Sequence, residues 1–194
     1  MSEIQLIIGL GNPGPEYEET RHNAGALFVA ALAKKYNGNF KAEAKFFGFS
    51  CRITINGHDL RLLIPTTYMN KSGQAIAAIA QFYKIPTEKI LIAHDELDID
   101  AGTARFKQGG GHGGHNGLRD AIAKLGNQKN FHRLRIGIGH PGSADKVTGH
   151  VLKKAPPKEH QQMLDIIDDA IRALPDALDG NWSKAMNYLH AIKA

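Results

Sequence analysis

His22 and Asp95 are the residues of this chain best suited to acid–base chemistry. A neutral imidazole takes a proton from water near pH 7. A carboxylate on its other nitrogen fixes the tautomer and stabilises the imidazolium that forms. No serine or cysteine stands in a nucleophile-elbow context, so activated water is the expected nucleophile and not a covalent enzyme group. Taken alone, a histidine at a helix start is more often a packing residue, so its company matters. Asn12 follows the first expected strand, Arg21-His22-Asn23 opens the first helix, and Tyr68-Met69-Asn70 follows a hairpin. Asp95 ends a further strand, and His115-Asn116 lies in a glycine-rich loop. Ligands of open α/β sheets bind at the carboxyl ends of strands, so these segments can converge on one cleft.

The glycine-rich loop, residues 109–117, holds six glycines in nine residues. Such a backbone serves either as a mobile loop or as a surface whose amides approach an anion closely. Arg105 and Lys107 precede it, and Arg133 and Arg135 lie on the next expected strand. Alternate strand residues share a face, so each pair can project toward one anionic ligand; the plainer reading is a solvated basic face. Gly9-Leu10-Gly11-Asn12-Pro13-Gly14 has the spacing of a dinucleotide-binding turn. However, Pro13 and Pro15 delay the helix, and no acidic residue stands near Lys34-Lys35 where a ribose would need one. A tight strand-to-loop turn is the better reading. Ten histidines raise the question of a metal, with His112 and His115 as two ligands and His94-Asp95-Glu96 as possible additions. No His-Glu-x-x-His helix and no third ligand at characteristic spacing accompany them, so neither a metal nor another cofactor is expected.

The elements that position these residues follow from periodicity and punctuation. Residues 4–10 read as a buried strand stopped by the Gly-Asn-Pro-Gly turn. Residues 23–36 carry a helical stripe at Leu27, Phe28, Ala31 and Leu32. Residues 46–55 and 58–64 flank Asn56-Gly57, a two-residue hairpin signal. Ser72 is placed to cap a helix through Tyr83, with Ile76, Ile79, Ala80 and Tyr83 on one face. Strands are expected at 90–93, 103–107 and 133–138, with a short helix at 118–125. From Pro157 the pattern is helical through Leu174, where Pro175 is expected to end it, and residues 182–192 form a last helix. Alternating strands and helices indicate an α/β fold, one domain over residues 1–194 with a twisted mixed β-sheet surrounded by helices. Strand order is not legible at this level.

A length of 194 residues suits one domain. A 42% hydrophobic and 22% charged composition suits a folded core. No run approaches the ~20 apolar residues of a membrane span, and residues 4–10 lack the flanks of a signal peptide. The single cysteine, Cys51, excludes an internal disulfide and any multi-cysteine zinc module. A cytoplasmic setting is therefore expected. A formal charge of +5 and a pI near 9.3 admit a polyanionic partner.

Together these segments resemble the bacterial peptidyl-tRNA hydrolase family. Gly9-Leu10-Gly11-Asn12-Pro13-Gly14 with Tyr17 and Thr20-Arg21-His22-Asn23-Ala24-Gly25 is similar to its opening motif. Pro65-Thr66-Thr67-Tyr68-Met69-Asn70 with Ser72-Gly73, then His94-Asp95-Glu96-Leu97-Asp98, resemble the second and third. Residues 109–120 and 131–142 complete the set, in order, so that the resemblance spans about residues 4–155. It implies a monomeric α/β enzyme that cleaves the ester between a peptide and the terminal ribose of tRNA, recycling tRNA in translation. By that resemblance His22 is the general base and Asp95 its partner. Asn12, Asn70, His115 and Asn116 contact substrate or water, Tyr17, Tyr68 and Met69 line the peptide groove, and Lys107 and Arg135, with Arg105 nearby, grip the tRNA 5′-phosphate. Arg105 stands where some relatives carry lysine, and Ala144 lies in a loop that is more basic in others. Two other classes of function fit the residues: a metal-dependent hydrolase built on His112 and His115, and a non-catalytic RNA-binding module.

Overall fold

The computed structural model describes residues 3–194. Seven strands form one mixed sheet: β1 (Leu6–Gly9), β2 (Lys41–Glu43), β3 (Gly48–Ile55), β4 (His58–Pro65), β5 (Ile90–Glu96), β6 (Ala104–Gln108) and β7 (His132–Gly137). Their order is β2-β3-β4-β1-β5-β7-β6. The central four, β4-β1-β5-β7, are parallel, and antiparallel strands close both edges. The parallel strands are apolar because helices cover them on both sides. On one face α1 (Ala24–Lys35), α5 (Pro157–Leu178) and α6 (Trp182–His190) pack on Ile7, Leu62, Leu91, Ala93 and Leu134. On the other, α2 (Ser72–Phe82) and α3 (Asn116–Lys124) pack on Leu6, Ile8, Leu63 and Ile92. The expected α/β single domain is the architecture found.

Several boundaries move, and the site depends on two of them. β5 runs to Glu96, so His94 and Asp95 are strand residues with fixed directions instead of the start of a loop. α3 begins at Asn116, which makes His115 its N-cap. Ser72 does not cap α2: Lys71 occupies the N-cap position, and Ser72 Oγ instead donates to the Met69 carbonyl at 2.7 Å. Pro175 does not stop α5, which continues to Leu178. A proline removes one backbone hydrogen bond, but Leu174, Ala177 and Leu178 are buried around it, and their packing keeps the last turn in place. The strand expected from residue 46 begins at Gly48, after a 3₁₀ turn over Ala44–Phe46 and Phe47 in the left-handed region at φ 52°. The short β2 and α4 (Val147–Val151) have too few residues to show a period and escaped the sequence reading.

The glycines of the opening motif serve helix docking. A Cβ on Gly9 would lie 2.3 Å from the Gly25 carbonyl oxygen, and one on Gly25 would lie 2.1 Å from that of Ala93. Only bare backbone lets α1 sit this close to the ends of β1 and β5. The 3₁₀ turn Arg21–Asn23 that leads into α1 is thereby set beside the carboxyl end of β5.

Candidate active site

Asp95 is 3% exposed at the carboxyl end of β5, and two histidines hold its two oxygens. His22 Nδ1 lies 2.9 Å from Oδ2, and His115 Nε2 lies 2.7 Å from Oδ1. The two imidazoles are 5.0 Å apart between centroids. Burial pushes the Asp95 carboxyl up, but the charges and hydrogen bonds of His115 and His22 outweigh it and hold the group well below the usual carboxylate range. Burial pulls His22 down, while the charge and hydrogen bond of Asp95 pull it up further, so its pKa lies above the ordinary histidine value.

The two histidines are not equivalent. His115 Nδ1 accepts from the amides of Gly117 at 3.1 Å and Leu118 at 3.2 Å, the first-turn donors that an N-cap oxygen usually satisfies. A nitrogen that accepts carries no proton, so His115 donates through Nε2 to Asp95, and both of its nitrogens are engaged. His22 uses only Nδ1. Its other nitrogen has no protein partner among the described residues, and the ring lines a pocket of about 260 Å³. His22 itself is braced from behind. Arg21, only 8% exposed, forms a two-pronged pair with Glu159 of α5 at 3.0 and 3.2 Å and donates to the His150 carbonyl of α4 at 3.0 Å.

Two carboxamides in the pocket have defined orientations. Asn12 Oδ1 accepts from the Met69 amide at 2.7 Å, which leaves its Nδ2 group to face the pocket. Asn23 clamps Asn12 in turn, its Oδ1 accepting from the Asn12 amide at 2.8 Å and its Nδ2 donating to the Asn12 carbonyl at 2.9 Å. Asn116 Oδ1 accepts from Arg119 at 2.8 Å, so its Nδ2 is likewise a free donor. In each case only an oxygen can take the observed donor, so the partner determines the flip.

Of the residues expected from the sequence, Asn12, His22, Tyr68, Met69, Asn70, Asp95, His115 and Asn116 line this one pocket. Tyr17 stands outside it, edge-to-face on the exposed Tyr68 ring at 6.4 Å. The basic residues lie elsewhere, at the β6–β7 edge. Arg105 pairs across the strands with Arg135, and Lys107 with Arg133, so all four share a sheet face. Arg105 and Arg135 line a second cavity with His190, and Arg135 Nε bonds Glu96 at 3.0 Å. The Lys107 amine lies instead beside Gly110. Arg133, read from sequence as one of the pair facing an anion, is only 3% exposed and donates to the carbonyls of Gly110 and Gly111.

Sequence reasoning named Arg21 and Asn23 without giving either a role, and it missed the apolar wall formed by Leu97, Val147, Val151 and Leu152. Val147 and Val151 stand four apart on one helix face, but a five-residue helix gives no second repeat to reveal it. The one cluster with metal-ligand potential among the described residues is His22, Asp95 and His115, their donor atoms within 4.8 Å of one another. His112, which with His115 carried the rival metal-dependent reading, is not part of it; its Nδ1 accepts from the Gly114 amide at 3.0 Å.

Among the described residues no helix is long and apolar enough to cross a membrane. The family model described as Peptidyl-tRNA hydrolase matches residues 6–194. A peptidyl-tRNA hydrolase of Tolumonas auensis is 60% identical over 98% of this chain and 97% of its own length. One from Pseudomonas savastanoi pv. phaseolicola is 61% identical over the whole of both chains. The crystal structure of peptidyl-tRNA hydrolase from Acinetobacter baumannii, 55% identical, covers 100% of this chain and 97% of its own with a TM-score of 0.95. On the strength of a match that takes in the strands, the histidine pair and the glycine loop alike, the chain belongs to the peptidyl-tRNA hydrolase family.

Proposed function

We propose that His22 is the general base with which this chain cleaves peptidyl-tRNA. The chain is an enzyme of that class, and its substrate is a peptide joined through an ester to the 3′-terminal ribose of tRNA. The observation that carries the assignment is the asymmetry of His22: Nδ1 held by Asp95 at 2.9 Å, and the other nitrogen unpartnered in the pocket. In that state Nε2 accepts a proton from water, and the carboxylate stabilises the imidazolium that results. The hydroxide equivalent adds to the ester carbonyl, and negative charge collects on the carbonyl oxygen. The free Nδ2 groups of Asn12 and Asn116 supply donors for that charge. Collapse expels the ribose oxygen, which takes the proton back from His22. An ester has a better leaving group than an amide, so one base, one water and fixed amide donors suffice.

The apolar wall of Leu97, Val147, Val151 and Leu152, with Met69 and Tyr68, suits side chains of the peptide. Tyr17 supports the Tyr68 ring from outside the pocket. The tRNA half of the substrate falls to the β6–β7 edge, where Lys107, Arg135 and Arg105 present positive charge. We place the enzyme in the cytoplasm and infer that it is a monomer; sedimentation of the purified chain with and without tRNA tests the monomer.

The deciding experiment is hydrolysis of an N-blocked aminoacyl-tRNA by the parent and by His22→Ala. Loss of a general base should lower turnover by ~10²–10⁴ with little change in substrate affinity. Turnover near that of the parent removes His22 from the mechanism.

A further inference from the structure

Two buried polar atoms lack partners on the sheet face covered by α2 and α3: His94 Nε2 and Arg133 Nε. Both side chains are deeply buried, at 1% and 3% exposure. Their strands are parallel neighbours, with Ile92 opposite Arg133 and His94 opposite Arg135, so the two side chains leave the same face one step apart. His94 Nδ1 lies 2.8 Å from the Asp95 carbonyl, which can only accept, so that nitrogen carries the ring's proton. Burial first, and then the nearby charges of His115 and Arg133, press His94 down to about 3, so the ring is neutral and Nε2 is a bare acceptor. Arg133 Nε can only donate. Left alone, each group would bear an uncompensated desolvation cost, whereas together they are complementary.

We infer that His94 is a positioning residue whose Nε2 is joined to Arg133 Nε–H through one buried water. Arg133 also holds the Gly110 and Gly111 carbonyls and lies over the Phe131 ring at 4.5 Å. The chain of contacts then closes on itself. The Asp95 carbonyl holds His94, His94 holds Arg133, Arg133 holds the glycine loop, and the loop delivers His115 to Asp95 Oδ1. A core-filling histidine would serve equally well as phenylalanine. A histidine in this circuit would not.

The test measures amide hydrogen exchange in the parent, His94→Phe and His94→Gln, where glutamine restores an acceptor near the Nε2 position. In His94→Phe the Gly117 and Leu118 amides, which bond His115, should exchange about tenfold faster, as expected for loss of one net hydrogen bond. The Ile7 and Ile8 amides of β1 should keep their parental rates, and His94→Gln should stay close to the parent throughout. Unchanged exchange at Gly117 and Leu118 overturns the inference, as does equal acceleration in β1 or a glutamine variant that behaves like phenylalanine. If His94→Phe does not fold, ¹⁵N NMR of the parent decides. A hydrogen-bonded Nε2 resonates upfield of a free imidazole lone pair, and a free-position signal overturns the proposal. The activity readout alone rests on the roles proposed for His22 and Asp95: kcat should fall in His94→Phe while KM holds. Exchange and NMR do not depend on those roles, so a failure of either reading can be told from a failure of the other.

Discussion

The two helical layers of this molecule meet at one carboxylate and treat it differently. The α1 layer sends His22 to Asp95 Oδ2 through a short 3₁₀ turn, pinned by Gly9 and Gly25 beneath it and by Arg21 behind it. The α3 layer sends His115 to Oδ1 from a helix N-cap. One imidazole keeps a nitrogen for chemistry, and the other has both occupied by structure. Two histidines equally close to one buried carboxylate are therefore not two candidate bases. What separates them is whether the distal nitrogen meets solvent or a backbone amide.

Removing the shared carboxylate breaks the comparison most completely. Asp95→Asn keeps the shape but withdraws the charge that stabilises imidazolium, and turnover should fall by ~10²–10⁴, the range of an acid–base contribution. The sign of the pH effect follows from His22. In the parent its pKa is raised, so activity is lost as pH falls through a value above the ordinary histidine range. In the variant burial acts without the opposing carboxylate, and the acid limb of the rate profile should move to lower pH. A limb that stays in place would show that Asp95 does not tune the base.

A milder change isolates the α3 side. His115→Ala removes both the cap and the contact to Asp95, whereas His115→Asn restores a cap oxygen without reaching the carboxylate. The alanine variant should lose ~1 kcal/mol of stability, the usual worth of an N-cap, and asparagine should recover most of it. Both should slow turnover by about tenfold, the equivalent of one ordinary hydrogen bond to Asp95. Thermal denaturation beside kinetics separates the two effects. If His115→Ala matches His22→Ala in turnover, the division of labour drawn here is wrong.

How much of this was legible in the sequence depends on the kind of contact. The buried strands and the amphipathic helix of residues 157–174 announced themselves because burial imposes a period. His22 and Asp95 were nameable because few residue types suit the acid–base chemistry proposed for them. The capping role of His115 was not, because histidine is not among the usual N-cap residues, and the loop before it hides the helix start. Arg133 misled, and the buried role of Arg21 left no trace, for the same reason. A basic residue in a strand or turn reads as solvated or anion-binding, while here each is buried by partners 138 and 22 residues away in sequence. Pro175 shows the converse, a local breaker overridden by long-range packing.

A third region, the β6–β7 edge, sharpens the comparison because it should affect binding and not chemistry. Lys107→Ala and Arg135→Ala should each raise KM for peptidyl-tRNA severalfold, leave kcat nearly unchanged, and reduce the slope of log affinity against log salt by about 1. Substrate with and without its 5′-phosphate makes the test specific. Loss of the phosphate should hurt the parent and scarcely hurt the variants. Equal losses in all three would return this face to the role of a solvated basic surface. Arg135 should show the smaller effect of the two, because Glu96 already holds its Nε.

The smallest expected effect is none. A metal ion at Asp95 would join the same two layers by other means, since His22, Asp95 and His115 present donor atoms within 4.8 Å of one another. The hydrogen bonds argue for protons in that role. His115 Nε2 faces Asp95 Oδ1 and His22 Nδ1 faces Oδ2, at 2.7 and 2.9 Å, and His115 Nδ1 accepts two amides. A cation at that point would need to displace contacts that orient the base, and only the unpartnered nitrogen of His22 would bind it freely. Full activity is therefore expected after prolonged chelation and dialysis, and His112→Ala should match the parent because His112 reaches only the Gly114 amide. Activity lost on chelation and restored by stoichiometric zinc would replace the water-activating histidine with a metal-bound hydroxide. That outcome would make the two imidazoles equal partners after all.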